Sequence, residues 1–290
     1  GFSYSDQWPS KIRIYHLKNE LERFSKYGKP YIFMPQAFGP FSNLTSIKRI
    51  ASSFPYAAMI NAREQYSYKN LHQIVGDQLN LHQYGDFTNL VEGIPPNSDI
   101  LTNYACIIPN KNMISHRNPD QSWIKSYEST LIKAIYHYRK HGLTPIFLNH
   151  EGLADAQLIS MVNSKLEDPI AVVEESDPLV IKGIIASATA VFCSRYHGCV
   201  SALSSGIPCV GTSWSHKYEA LYEDYGMSKF LLGSDVDQSH LQRVIDDSLS
   251  LTDQTKKELL EKVEIQKRDS LLMWDEIIFL VNNYYENLAQ

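Results

Sequence analysis

At 290 residues, 43% hydrophobic and 20% charged, the chain has the balance of an ordinary globular protein and is longer than one hydrophobic core usually grows, which predicts a two-domain α/β protein. The formal net charge of −5 argues against a non-specific nucleic-acid binder, so an anionic ligand must be met by a local cluster of cations. The four cysteines, Cys106, Cys193, Cys199 and Cys209, sit in or beside apolar runs without a CxxC pair; they read as reduced core thiols, with no zinc site or disulfide framework. No apolar run approaches the roughly 20 residues that cross a bilayer, and the expected location is cytoplasmic, with room for a peripheral association at the inner face of the membrane.

Taken in chain order, "GFSYSDQWPSK" is turn-like, and Ile14, Leu17, Leu21 and Phe24 then mark one stripe of an amphipathic helix over 11–27, closed by Gly28. A buried strand over 31–34 follows in "KPYIFMPQAFGPF", with Gln36 just past its end, and "YAAMINARE" repeats strand then polar tip, delivering Arg63 and Glu64. The prolines and glycine of "EGIPPNSD" place a domain boundary near Asn97, giving domains 1–97 and 98–290. Beyond it come a strand in "LTNYACIIPN", a helix over 121–140, the strand "TPIFLNH" ending at His150, and "PIAVVEES" and "AVFCS" as strands around a helical "PLVIKGIIASA". "IPCVGTS" is a further strand, and two helical patterns finish the chain, one from Asp253 and one over about 270–287. Strands alternating with helices predict parallel sheets with right-handed crossovers.

The segment "SRYHGCVSALSSGIPCVG" carries the densest chemistry. Ser194 and Arg195 fall at the carboxyl end of a strand, and a helix follows with Gly206 at its end. A helix N-terminus favours anions, Gly198 permits close backbone approach to a ligand, Arg195 offers a bidentate fork, and His197 exchanges protons near neutrality. Either cation alone is accounted for by a salt bridge or a packing role; the pair on one strand-end loop favours a site. Ser213, Ser215, His216 and Lys217 follow the next strand, and His150, Glu151 and Asp155 follow an earlier one. Asp155 also suits the first turn of a helix. Trp8, Trp214 and Tyr218 lie beside these loops, where rings stack on sugars, whereas Trp123 and Trp274 fall on helical patterns and read as core.

At these residues the chain resembles the polysaccharide pyruvyl transferases. "SRYHGCVSALSSGIPCVGTSWSHKYEALYEDYG" is similar to that family's SRxHG segment with its flanks, "MPQAFGPF" to its PQxxGPF element, "NAREQYS" to its R-E-x-x-S element, and "SYSDQWP" to the D-x-[WY]-P end of its N-terminal motif. The resemblance implies two Rossmann-like domains in a GT-B-like arrangement, with the acceptor side in the first domain, the donor side in the second and the active site between them. The first domain is expected to be truncated, since only Gly1 precedes "FSYSD". It implies phosphoenolpyruvate as donor, a hexose of a cell-surface glycan, free or lipid-linked, as acceptor, and a cyclic pyruvate ketal as product. Arg195, His197 and Asp6 then match the catalytic residues, with Asp6 or Glu151 as base, and Arg63 matches a further functional arginine. Ser194, Gly198, Lys217, His216, Ser213, Gln36, His150 and Glu151 are the remaining binding candidates. No carboxylate cluster or GxxxxGK element occurs, so no metal or cofactor is expected besides phosphoenolpyruvate as co-substrate. The alternative is a GT-B glycosyltransferase or sugar-nucleotide epimerase, in which Glu219 or Glu223 would grip a ribose; a third reading is a non-catalytic sugar-binding protein.

Overall fold

The computed structural model describes residues 4–6, 11–78, 80–96, 102–116, 118–213 and 215–288, with the backbone alone for 11–15 and 287–288. Its contacts form two compact units, residues 1–87 with 266–290 and residues 88–265.

The first unit holds α1 (Lys11–Lys26), β1 (Ile32–Gln36), α2 (Leu44–Ser53), β2 (Met59–Ala62), α3 (Gln65–Val75) and β3 (Leu81–Gln83). The strands form a parallel sheet in the order β1-β2-β3. Leu17, Leu21, Phe33, Phe38, Ile50 and Phe54 share one core, and Met59 packs with Met273 and Ile277 in another. The latter two lie on the last helix of the chain, which explains why all four residues of β2 are buried. A strand buried on both faces loses the alternation of a one-sided sheet. Tyr4 bridges to Phe38, and the Asp6 N–H donates to the Pro40 carbonyl at 3.1 Å.

The second unit holds β4 (Tyr104–Ile108), α4 (Trp123–Lys140), β5 (Thr144–Asn149), α5 (Leu153–Asn163), β6 (Ala171–Glu174), α6 (Pro178–Ala186) and β7 (Ala190–Cys193). It continues through α7 (Tyr196–Ser204), β8 (Cys209–Thr212), α8 (His216–Asp224), β9 (Leu231–Leu232) and α9 (Gln238–Leu249) into α10 (Asp253–Leu288). Its six strands run parallel in the order β6-β5-β4-β7-β8-β9. The chain winds outward from β4 to β6, then returns to start again at β7. The order reverses between β4 and β7, the crevice position where doubly wound sheets bind ligands. β4, β7 and β8 are buried throughout, and all four cysteines are buried free thiols, as their apolar surroundings predict.

Three features depart from the sequence reading. The final two helical patterns are one helix of 36 residues, α10, whose residues 253–265 belong to the second unit and the rest to the first. The polar stretch "QKRDS" interrupts the apolar stripe without a proline or glycine to end the helix, and Ser270 within it is fully buried. The contacts divide the chain after Phe87, and not near Asn97, which lies outside the described residues; part of the supposed second domain thus packs with the first. Third, α2, α3, β3, α9 and β9 were not anticipated; β3 and β9, of three and two residues, are too short to show a period.

Candidate functional site

Arg195 leaves the end of β7 as the residue before the first turn of α7. Its Nε donates to Asp155 Oδ2 at 2.8 Å and its Nη2 to Asp155 Oδ1 at 2.6 Å, a two-pronged pair. Asp155 stands in the first turn of α5, is fully buried, and also accepts the Lys111 N–H at 3.0 Å. Nη1 of the same guanidinium pairs with Glu151, whose side chain is 64% exposed. Burial pushes the Asp155 carboxyl up to about 6, and the Lys111 N–H pulls it back in part. The facing guanidinium favours the charged form. Burial likewise lowers the proton affinity of Arg195.

His197, exposed in the first turn of α7, lines a cavity of about 620 Å³ together with His150, Lys182, Ser176 and Ser201. Thr88, Val91, Pro178, Leu179 and Ile181 supply the remaining, mostly apolar wall. Lys182 is only 6% exposed, and its Nζ donates to the Thr88 carbonyl at 2.8 Å. The backbone of 93–94 lies directly on α6 at Gly183, where any Cβ would overlap the Ile94 carbonyl. His150 is half-buried with its Nδ1 lacking a hydrogen-bond partner among the described residues. Burial, then the charges of Arg195 and His197, drive its pKa down to about 4, so it is neutral at pH 7. The cavity therefore joins a lysine, two imidazoles and two hydroxyls to an apolar wall, a composition suited to an anion that carries a less polar group.

The structure gives several other sequence candidates internal partners. Ser194 is fully buried, its hydroxyl bonded to Tyr127 at 2.6 Å and Thr212 at 2.7 Å, while its carbonyl accepts from Asn110 Nδ2 and the Tyr218 hydroxyl. It fastens β4, α4, β8 and α8 around the loop and presents no group to a ligand. Gly198 is required by packing and not by a ligand's approach: a Cβ there would lie 2.6 Å from Cys193 Sγ. Tyr218 is 1% exposed with its ring against Tyr196, which takes it out of sugar stacking. Lys217 lies over the Tyr196 and Tyr218 rings, at 5.1 and 5.5 Å, a cation–π arrangement and not part of the cavity wall. His216 is half-buried at the start of α8, and the Ser213 hydroxyl closes the turn before it by accepting the Ser215 N–H at 3.3 Å. Trp123 is core, Trp274 is 36% exposed with its edge on Phe87, and Trp8 and Trp214 lie outside the described residues.

In the first unit, Arg63 is 3% exposed and pairs with Asp86 at 3.2 Å and with Glu64 at 3.9 Å. The Glu64 carboxylate meets the Ser67 hydroxyl, which accepts the Phe38 N–H at 2.7 Å. The "NAREQYS" and "MPQAFGPF" motifs thus fasten each other, and Arg63 is committed to buried carboxylates. Gln36, half-buried at the end of β1, accepts the Arg63 N–H on its carbonyl at 3.1 Å. Asp6 accepts the backbone N–H groups of Ser42 at 2.6 Å and Asn43 at 2.8 Å, just ahead of α2. Burial raises its pKa, but the hydrogen bonds from Asn43, Ser46 and Ser42 outweigh it and leave the carboxyl below its ordinary value. Sequence reasoning missed Lys182, whose signal is a lone cation inside the apolar run "PLVIKGIIASA", and it left the Asp155–Arg195 fork unpaired.

Two units of parallel strands alternating with helices, with ionisable groups at a switch point, define a Rossmann-type α/β protein of the GT-B class. The solved structures agree. A UDP-forming α,α-trehalose-phosphate synthase from Burkholderia xenovorans aligns with a TM-score of 0.60 at 9% identity over 93% of this chain and 72% of that one. A putative UDP-N-acetylglucosamine 2-epimerase from Listeria monocytogenes aligns with a TM-score of 0.60 at 10% identity, covering 94% and 80%. The UDP-GlcNAc 2-epimerase from Methanocaldococcus jannaschii gives 0.56 at 11% identity, covering 81% and 67%. At such identities the likeness shows the fold alone. No curated protein matches the sequence. The model of the polysaccharide pyruvyl transferase family matches residues 3–216, and the chain belongs to that family. Among the described residues no helix is long and apolar enough to cross a membrane.

Proposed function

We propose that the chain transfers pyruvate from phosphoenolpyruvate to two hydroxyls of a glycan sugar, forming a cyclic ketal and releasing phosphate. The observation that carries this reading is the family-matched "SRYHG" segment at the switch point, with His197 in one cavity wall beside Lys182 and with Arg195 anchored by a buried carboxylate. Lys182 in the cavity wall supplies positive charge for a doubly acidic donor, and Arg195, beside that wall, adds its own once Glu151 gives up Nη1. His197 protonates the donor's methylene carbon, and Arg195 steadies the charge that moves onto phosphate. One sugar hydroxyl gives its proton to a base and attacks the adjacent carbon. Phosphate departs, the second hydroxyl closes the ring, and its proton leaves with phosphate. Glu151 is the base this unit offers, once an anion replaces it on Nη1; Asp6 remains the family-matched alternative, although its carboxylate holds the loop before α2. No metal or further cofactor enters the scheme, and the setting is the cytoplasmic side of glycan synthesis.

A second reading has one observation in its favour. The cavity volume of about 620 Å³ and its apolar wall exceed what a three-carbon anion fills, which favours a nucleotide sugar as in a glycosyltransferase or epimerase. Incubation with phosphoenolpyruvate and a panel of galactosides and N-acetylhexosaminides separates the two. Acceptor-dependent phosphate release, with a mass gain of one pyruvate less one water, supports pyruvyl transfer. Nucleotide release from UDP-sugars with no turnover of phosphoenolpyruvate sinks it.

A further inference from the structure

Outside the strand-end site, His137 and His141 stand one helical turn apart at the carboxyl end of α4, and Asp246 meets them from α9. Both imidazole Nε2 atoms approach the same oxygen, Asp246 Oδ1, at 2.6 Å and 2.7 Å. The two rings are 5.0 Å apart between centroids, and the three ligand atoms all lie within 4.8 Å of one another. We propose that His137, His141 and Asp246 form a binding site for a divalent transition-metal ion of the zinc type, with water completing its coordination.

The donor set is the first argument. Two imidazoles and a carboxylate are borderline ligands that suit zinc, cobalt, nickel or copper and not magnesium or calcium. Geometry is the second. Zinc ligands at about 2.0–2.1 Å stand about 3.3 Å apart along a tetrahedral edge. The two imidazole–carboxylate contacts, at 2.6 Å and 2.7 Å, need to open by roughly two-thirds of an ångström to admit an ion, within reach of side-chain rotation. A clamp between two helices needs one imidazole, whereas here two nitrogens converge on one oxygen. The setting is the third. The last turn of α4 carries the negative end of the helix dipole, which favours a cation. The Asp246 carboxylate brings the negative charge that draws a cation. The side chains of His141 and Asp246 are 40% and 48% exposed, so an ion reaches them from solvent, while that of His137 is 11% exposed and holds the site against the core.

One feature sets the strength. Nδ1 of His137 is buried with no hydrogen-bond partner among the described residues, so this ligand lacks the outer acceptor that typically adds 10–100-fold in affinity. Binding is therefore expected at micromolar and not nanomolar concentrations. A bound ion would staple α4 to α9 within the second unit and leave the strand-end residues untouched.

Calorimetric titration of the untagged full chain with Zn²⁺ at pH 7.5, with Co²⁺ as a visible-absorption probe, tests the site. One ion per chain, a tetrahedral cobalt spectrum and a raised melting temperature are expected. His141→Ala, at an exposed position, is expected to weaken binding at least tenfold with its circular dichroism unchanged, and Asp246→Asn to do the same. No binding up to millimolar zinc overturns the proposal. So does equal affinity in wild type and His141→Ala, which would put the ion elsewhere. A melting temperature lowered by His141→Ala but indifferent to zinc in both proteins overturns it too, leaving only an imidazole–carboxylate clamp.

Discussion

Two arginines at strand ends invite comparison. Arg63 follows β2 and Arg195 follows β7, and each guanidinium faces two carboxylates. Around Arg63 both partners are buried, Glu64 at 4% and Asp86 at 6% exposure, so the charges are closed off from exchange. Around Arg195 one partner, Asp155, is fully buried and the other, Glu151, is 64% exposed. The same residue at the same kind of position is closed in by buried partners in one unit and has one partner open to solvent in the other. The difference lies in the partners and not in the arginine. A buried pair keeps its place because removing either member strands an uncompensated charge, whereas an exposed carboxylate returns to water at little cost.

The largest expected effect is on the closed network. Arg63→Ala removes the cation that faces two buried carboxylates and is expected to cost about 3–5 kcal/mol of stability, read by chemical denaturation. A loss below about 1 kcal/mol would mean that Arg63 is not a fastening and would restore it as a ligand-binding candidate. Next, His197→Ala is expected to lower turnover roughly 10²–10⁴-fold with the melting temperature unchanged, since a positioned acid contributes that much; near-normal turnover removes this imidazole from the reaction.

The fork gives a subtler pair of tests. Asp155→Asn keeps shape but loses the charge that aims Arg195, and is expected to raise the KM for the donor about tenfold, a single charged hydrogen-bond pair's worth. In the wild type, acidification protonates Asp155 near pH 6, so donor affinity is expected to fall as pH drops through that value. The variant is expected to lack that acid limb, and an unchanged pH profile would show that Asp155 does not govern Arg195. The smallest effect on the fold is that of Glu151→Gln, because its exposed pair is worth less than about 1 kcal/mol. If Glu151 only guards Nη1, donor KM falls and kcat holds; if it is also the base, kcat falls as well. No change in either constant would end the exchangeable-anion account.

Much of this was legible along the chain. Apolar runs with polar ends marked β4, β5, β7 and β8, and the alternation of strands with helices implied parallel sheets. Gly206 closed α7 as expected, with φ of 73°, a conformation glycine adopts without steric cost. The arginine and histidine of "SRYHG" were placed at a strand end by local pattern alone. The acid that pairs with Arg195 was not, because Asp155 is 40 residues away and read equally well as a first-turn residue of its helix.

The sequence by itself determined what neighbours within a few residues decide: the strands, most helices, the buried thiols and the loop that carries Arg195 and His197. Periodicity and end signals are short-range physics, and they survive without knowledge of the fold. Only the tertiary structure decided which charges meet. The sheet order brings the ends of β4, β5 and β7 to one edge, where Asp155 bonds both Lys111 and Arg195. It also decided that one uninterrupted helix serves both units, and that Lys182, His150 and His197 share a cavity. Such partners are chosen by burial and long-range packing, which no local pattern encodes.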